Sequence, residues 1–386
     1  MGKKNNVKST LQIHSQAKVE FYERYLIRYL RILCSSEFIN QINIYDVFCG
    51  MGIYDDGGKG SPIVAFDAIK KLRNENINYT KTKITLIVND NSEEKIERVK
   101  NYIEDNNQND CNFIYYNNDV NDMFVIVKKD VSKTETDTRN LIFIDPYGYK
   151  DIKKETIHSL MVNKKTELIL FLPISHMHRF TQIAVQDDEK KAQYAPLRSF
   201  INSFFHENHR IMSEKLNIME YIQCISEALR FKNQFFSTSY YIERDAANHF
   251  ALFFMSSHIF GFEKILEVKW ALDEDSGRGF KIPEPQKGLF DELFAVEKKI
   301  ENSEKLESIL FDFITKKEPN NKQIYIKTLE SEFLPKHTNE ILAKLQQQNP
   351  KFKVYDIKTK SEARKKSFYI SYKNYKEEDR VIFRLI

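Results

Sequence analysis

The sequence predicts an α/β chain with an open, mostly parallel sheet covered by helices on both faces, followed by a small helical module. Three observations predict it. Short apolar runs rich in β-branched residues alternate with helical stretches from residue 15 to about 175. The first run, Ile44-Tyr45-Asp46-Val47-Phe48-Cys49, passes into a Gly-x-Gly turn at Gly50 and Gly52. The later runs end on acids, at Asp90 and at Asp145-Pro146-Tyr147-Gly148.

The elements follow in order. Residues 1–11 are polar and are expected to be a flexible N-terminus. From 15 to 35, Val19, Tyr22, Leu26, Tyr29, Leu30 and Leu33 recur at spacings of three and four. That stripe predicts an amphipathic helix packed on the sheet, or one that binds a partner, with Lys18, Glu20, Glu23, Arg24, Arg28 and Arg31 filling the rest. A strand is expected at 42–48. A glycine-rich loop at 49–60 follows, and Ser61-Pro62 opens a helix as N-cap and first helical residue. Ile84–Val88 reads as a buried parallel strand, and helix 92–103, strand 112–116, helix 121–128, strand 141–144, helix 151–162 and strand 166–172 alternate after it. Residues 176–235 read as a helical insertion. Strands at 237–242 and 249–256 are expected to pair antiparallel at the sheet edge, and a helix follows at 260–271. The sheet domain is thus expected at 12–272.

A charged, Gly- and Pro-containing stretch at 273–304 reads as a linker. Beyond it, 305–386 reads as three helices and two strands, Phe352–Ile357 and Ser367–Tyr372, flanking a basic tip. This is a winged-helix pattern. Lys358, Lys360, Arg364, Lys365 and Lys366 in the tip are candidate contacts to a nucleic-acid backbone, or else a solvated face of a protein-binding module.

Composition narrows the classes. The chain has 386 residues, 41% hydrophobic and 30% charged, with 59 basic and 55 acidic residues giving a net charge of +4. No apolar run approaches the roughly 18 residues of a membrane span. The polar start lacks a signal-peptide core. Met-Gly begins the chain, but Val7 falls near the position where acylation favours a small hydroxyl residue. The cysteines, Cys34, Cys49, Cys111 and Cys224, are scattered, which fits free thiols in a reducing cytoplasm. The abundance of Lys, Asn and Ile fits an AT-rich bacterial genome.

The strand ends carry the chemistry. A Gly turn, a ribose-type acid and an Asp-Pro-aromatic, in that order, imply a Rossmann-like class I methyltransferase sheet that binds S-adenosylmethionine (SAM). Phe48, Gly50 and Gly52 would let backbone approach the ligand, and Asp46 would meet the ammonium of its methionine tail; the alternative is a tight turn with no ligand. Asp90 would accept the two ribose hydroxyls, with Asn89 and Asn91 as neighbours that could substitute. Asp119 is placed for the adenine amino group, though Asn and Asp are also common turn formers. Asp145, Pro146 and Tyr147 would hold a target amine, with the ring stacking on an extruded base. Enzymes that methylate exocyclic amines often carry Asp or Asn followed by Pro-Pro-aromatic, and Tyr147 stands here in place of the second proline. His176 and His178 read as loop histidines lining the cleft. Asp273, Glu274 and Asp275 could hold Mg²⁺ for a metal-dependent nuclease, or form a solvated linker.

In these residues the chain resembles the three-Cys-motif partner protein family (TcmP). The likeness lies in Asp46-Val47-Phe48-Cys49-Gly50-Met51-Gly52, Gly58-Lys59-Gly60-Ser61-Pro62, Phe143-Ile144-Asp145-Pro146-Tyr147-Gly148 and His249-Phe250-Ala251-Leu252-Phe253-Phe254, with Lys269-Trp270, Asp273 and Gly277. Cys49 stands where Ala is more usual. The resemblance implies a class I methyltransferase-like fold and a neighbouring protein with a three-cysteine, radical-SAM-like iron–sulfur motif. It leaves open whether the chain is an enzyme or a non-catalytic scaffold subunit of that partner.

Overall fold

The computed structural model describes residues 11–76, 79, 81–107, 110–186, 191–280 and 303–386. Most of the expected flexible N-terminus and of the expected linker lies outside the described residues. Among the described residues, contacts divide the chain into two units, one within 11–258 with 280, the other 259–279 with 303–386.

The first unit alternates helix and strand: α1 (Ile13–Cys34), β1 (Gln41–Asp46), α2 (Ser61–Glu75), β2 (Lys83–Asn89), α3 (Glu93–Asn106), β3 (Asn112–Tyr116), α4 (Val120–Ser132), β4 (Thr138–Ile144), α5 (Lys154–Met161) and β5 (Thr166–Pro173). Then come α6 (Ile174–Gln186), α7 (Ala195–Phe204), α8 (Ile218–Ala228), β6 (Phe236–Asp245) and β7 (Asn248–Ser256). The eight-stranded sheet runs β3-β2-β1-β4-β5-β7-β6 and ends in a short edge strand that includes Phe280. β1 to β5 are parallel, and β7 is antiparallel to both β5 and β6. This is the mixed α/β sheet, with late strands paired at one edge, that the methyltransferase-like reading expects.

The core explains why these segments are strands. Ile42, Ile44, Leu86, Val88, Leu141, Ile142, Leu168 and Leu170 are almost fully buried. Their side chains point to both faces, so only a strand covered on both sides by helices satisfies them. α1 buries most of its predicted stripe, Val19, Tyr22, Leu26, Tyr29 and Leu30, while Leu33 is half-buried and Phe21 and Tyr25, outside that stripe, are buried as well. Tyr22 stacks on Phe143 of β4 at 4.5 Å. α2 starts where Gly60 is the N-cap and Pro62 sits in the first turn. Parallel pairing brings the carboxyl ends of β1, β2, β3, β4 and β5 to one edge, and every candidate residue of the first unit closes or follows one of these ends.

The second unit holds helices Ile259–Leu272, Ser303–Lys317, Asn321–Glu330 and Pro335–Gln348, and a two-stranded antiparallel sheet, Phe352–Asp356 with Val381–Leu385. Trp270 packs edge-on to His337 at 4.3 Å and donates from Nε1 to the Glu332 carbonyl at 2.9 Å. The expected second strand at Ser367–Tyr372 is not formed. Lys366 and Tyr369 adopt left-handed backbone (φ 62° and 54°), and Ser371 caps a short helix at Tyr372–Lys376. Those conformations break an extended ladder. Val381 and Phe383 alternate inward instead. Among the described residues no helix is long and apolar enough to cross a membrane.

Candidate functional site

The carboxyl edge is stitched together by one asparagine. Asn89, 2% exposed, donates from Nδ2 to the Val47 carbonyl (3.1 Å) and the Asn118 carbonyl (3.2 Å), and accepts from the Asn118 amide (3.0 Å). The Cys49 amide donates to the Asn89 carbonyl at 2.8 Å. The ends of β1, β2 and β3 are thereby fixed in one register. The sequence suggested Asn89 as a substitute ribose ligand; its bonds are spent inside the protein. The available signal was its place in a buried strand, where a polar side chain must be satisfied.

The chain after β1 turns on two glycines of different kinds. Gly52 has φ 69°, and a Cβ there would lie 2.5 Å from Val99 Cγ2 on α3. Gly50 has φ 62°, but a Cβ there would meet nothing within 4 Å. Gly52 therefore serves close packing, and Gly50 borders open space. The Gly50 amide donates to Asp90 Oδ2 at 3.1 Å.

Asp90, 2% exposed, also accepts from the Ser92 amide at 3.1 Å and from Lys95 Nζ at 3.1 and 3.3 Å. Lys95 in turn bonds the Tyr147 hydroxyl, and its ammonium lies 4.8 Å from the centre of that ring. Burial works against the Lys95 charge, but Tyr147 and Asp90 outweigh it and raise the ammonium above its usual range. Lys95 was not foreseen, because a lysine in a helix reads as solvent-facing.

A hollow of about 270 Å³ opens here, lined by Phe48, Asp90, Asn118, Asp119, Pro146 and Tyr147 among others. That is just under the roughly 300–1,000 Å³ of ligand pockets. Five candidates from the sequence thus border one space. Asp119 has a second occupation as the N-cap of α4: its side chain accepts from the Asn121 amide at 2.9 Å, and that bond holds its carboxyl below the usual range.

Asp46, Gly50, Gly52 and Asp145 are not among the residues that line this hollow. Asp46 is fully buried, and neither carboxylate oxygen has a partner within hydrogen-bond geometry. Burial pushes it up to about 7; the nearby Ser61 hydroxyl, Lys18 and the Phe48 amide pull the other way, and Asp145 adds to the rise. Asp145 is ion-paired with Lys18 of α1, whose side chain is 13% exposed. The Lys18 ammonium also sits 4.9 Å from the centre of the Phe171 ring. The sequence had put Lys18 on the solvated face of its helix. Tyr54, on the hairpin closed by the Ile53–Lys59 bridge, feels Lys18, Asp145, Tyr147 and Lys95 together. Burial raises its phenol pKa.

Other candidates settle elsewhere. β5 runs directly into α6, so His176 and His178 are helical rather than loop residues. His176 Nδ1 pairs with the Tyr149 hydroxyl at 2.8 Å, and His178 Nε2 meets the Leu216 carbonyl at 2.7 Å. Asp273 folds a turn: its carboxylate accepts from the Ser276 hydroxyl (2.6 Å) and from the Arg278 and Gly279 amides (2.8 and 3.2 Å). Among the described residues no group of three or more His, Cys, Asp or Glu side chains is placed to hold a metal. In the second unit Lys358, Lys360, Arg364, Lys365 and Lys366 are all exposed, and Lys358 pairs with Glu378 at 2.9 Å.

No protein-family model and no curated protein matches the sequence, so the resemblance to the three-Cys-motif partner family stays a likeness of motifs. Among solved structures the chain is similar to the bifunctional kinase-methyltransferase WbdD (10% identity, TM-score 0.32), covering 62% of this chain and 39% of that one. It is also similar to Trm1 from Pyrococcus horikoshii, solved with S-adenosyl-L-methionine (12%, 0.32; 70% of this chain, 65% of that). A third is PKMT2 from Rickettsia typhi, in complex with AdoHcy (12%, 0.28; 86% and 73%). The chain spans about two-fifths of WbdD. The fold assignment, a class I methyltransferase-like α/β sheet, rests on the strand order itself.

Proposed function

We propose that the chain is a SAM-dependent methyltransferase-like protein acting on nucleic acid with a partner protein. The observation that carries this reading is the contact between Gly50 and Asp90, on adjacent strand ends, with Asp90 lining a hollow of about 270 Å³. Asp90 would accept the ribose hydroxyls. Gly50 would admit the ligand against bare backbone. Phe48, Asn118 and Asp119 would border the base, and Asp46, buried without a hydrogen-bond partner, would face the methionine ammonium. SAM, when bound, supplies an electrophilic methyl group. Asp145 and the Pro146 backbone would then orient a target amino group, with Tyr147 stacking on the base that carries it, so that N-methylation is the favoured reaction.

The domains divide the work. On this reading 12–272 would be the methyltransferase-like domain with its insertion at 176–235, 273–304 the linker and 305–386 a winged-helix-like domain, although the helix Ile259–Leu272 packs with the second unit. The exposed cluster Lys358, Lys360, Arg364, Lys365 and Lys366 would contact phosphates. The iron–sulfur cysteines would belong to the three-Cys-motif partner, in a bacterial cytoplasm; three of the four cysteines here are buried and all four are free.

Calorimetry with S-adenosylhomocysteine tests the reading. Binding by the native chain, lost in Asp90→Ala, is expected. A native chain that binds neither this ligand nor SAM would remove the enzyme reading. A non-catalytic scaffold is the second reading, and one observation favours it: Lys18 already occupies the carboxylate of Asp145. Cofactor binding without transfer to DNA or RNA, together with co-purification of an iron–sulfur protein, would select it.

A further inference from the structure

We infer that Lys95 is a placeholder for the ribose, and that its displacement releases Tyr147, so that Lys95 is a positioning residue linking the cofactor side of the site to its substrate side. The inference rests on the nucleoside reading of Asp90.

A carboxylate offers about four acceptor positions. At Asp90 the Gly50 amide takes one on Oδ2 and the Ser92 amide one on Oδ1, each at 3.1 Å. Both donors are backbone, fixed by the Gly turn and by the start of α3. The Lys95 ammonium takes the remaining two, at 3.1 Å to Oδ1 and 3.3 Å to Oδ2. A vicinal diol needs two acceptor positions, and those of a mobile side chain are the ones that can be vacated. Asp90 is 2% exposed, so its oxygens must stay satisfied. Exchanging one ammonium for two hydroxyls conserves the count.

The same ammonium holds Tyr147, which is 77% exposed. Asp90, Lys95 and Tyr147 form a strap, and two of its three members border the hollow. Once Asp90 turns to a diol, Lys95 loses its anionic anchor, and the Tyr147 ring is freed for a base. Cofactor would then bind before substrate.

The test is calorimetry of S-adenosylhomocysteine with Lys95→Met, Lys95→Arg and the native chain, each checked for folding by thermal melt. Met cannot compete for Asp90 and should bind about tenfold tighter. Arg grips a carboxylate bidentately and should bind about tenfold weaker. A residue with a merely structural role would shift the melt without giving this order. With 3-fluorotyrosine incorporated, the ¹⁹F resonance that vanishes in Tyr147→Phe should move on ligand addition in the native chain. Equal or weaker binding by Lys95→Met, or by the native chain relative to Lys95→Arg, overturns the exchange and leaves the nucleoside reading standing. A motionless Tyr147 resonance overturns the coupling. Absence of binding in all three proteins overturns the nucleoside reading beneath it.

Discussion

Alanine at Gly50 and at Gly52 should separate ligand binding from folding. Both residues hold left-handed backbone, φ 62° and 69°, which costs a non-glycine residue about 1–2 kcal/mol. At Gly52 the new Cβ would also press on Val99 Cγ2 at 2.5 Å. Val99 is fully buried, and overpacking of that kind adds about 1–3 kcal/mol. Gly52→Ala should therefore lose about 2–5 kcal/mol, and Gly50→Ala only about 1–2. Urea melts followed by circular dichroism give these numbers. Ligand binding should rank the other way for the folded proteins. The Gly50 Cβ projects into open space beside Asp90, where the reading puts cofactor, so Gly50→Ala should weaken S-adenosylhomocysteine at least tenfold while the fold survives. Folded Gly50→Ala that binds like the native chain would refute the idea that this turn cradles a ligand. Equal stability of the two variants would refute the steric account of Gly52.

Two further outcomes are expected. Asp145→Ala should lower methyl transfer to nucleic acid from radiolabelled SAM by about a hundredfold or more while binding of S-adenosylhomocysteine changes less than threefold, since the residue is assigned to the acceptor and not to the cofactor. Replacing Lys360, Arg364, Lys365 and Lys366 together by alanine should weaken binding to a fluorescent duplex and flatten its dependence on salt by about one unit of slope for each phosphate no longer neutralised, whereas an unchanged slope in anisotropy titrations would remove the nucleic-acid role from this tip.

The sheet was legible because its strands are short, β-branched and bounded by Gly, Asp and Pro. Ile84–Val88 and Leu141–Ile144 can bury both faces only inside a parallel sheet, and each ends where its acid begins. The positions of Gly50, Asp90, Pro146 and Tyr147 followed from that. Three things did not. Lys18 reads as a surface lysine, and nothing singles out Lys95, because periodicity tells which face of a helix is apolar, not which long side chain will reach a carboxylate at the sheet edge. Asp119, expected beside the adenine, also caps α4, and Asp273, which read as a cation ligand or a solvated linker, closes a turn through backbone amides. The strand expected at 367–372 had the right apolar content, but a left-handed residue at 369 interrupts it and another at 366 precedes it, and the true partner at 381–385 turns Val381 and Phe383 inward later in the chain.

Asp46 is the acid that most constrains how the site would work. Asp90 and Asp145 each have a lysine, while Asp46 has no hydrogen-bonding partner. Its pKa rises from 3.8 to about 7 because burial disfavours the charge. In the folded chain it therefore keeps a proton that the unfolded chain gives up near pH 4. Its contribution to stability is full below that pH and is lost as pH climbs through about 7, amounting to about 4 kcal/mol at most. Glu167, also raised to about 7 by burial, acts in the same direction, so the Asp46 part is isolated by comparison with Asp46→Asn. A cationic ligand changes the balance. SAM carries a sulfonium and an ammonium against one carboxylate, whereas S-adenosylhomocysteine has lost the sulfonium charge. Among the titratable groups near Asp46, Asp145 is paired with Lys18, and burial drives the Cys49 thiol upward, away from ionisation. With the ligand's ammonium offset by its own carboxylate, the extra net charge of SAM would then favour Asp46 in its deprotonated form. The preference for SAM over S-adenosylhomocysteine should grow about tenfold between pH 6 and 8 in competition calorimetry and stay flat in Asp46→Asn. A native preference that does not change with pH would mean that Asp46 does not sense the sulfonium charge of the bound cofactor.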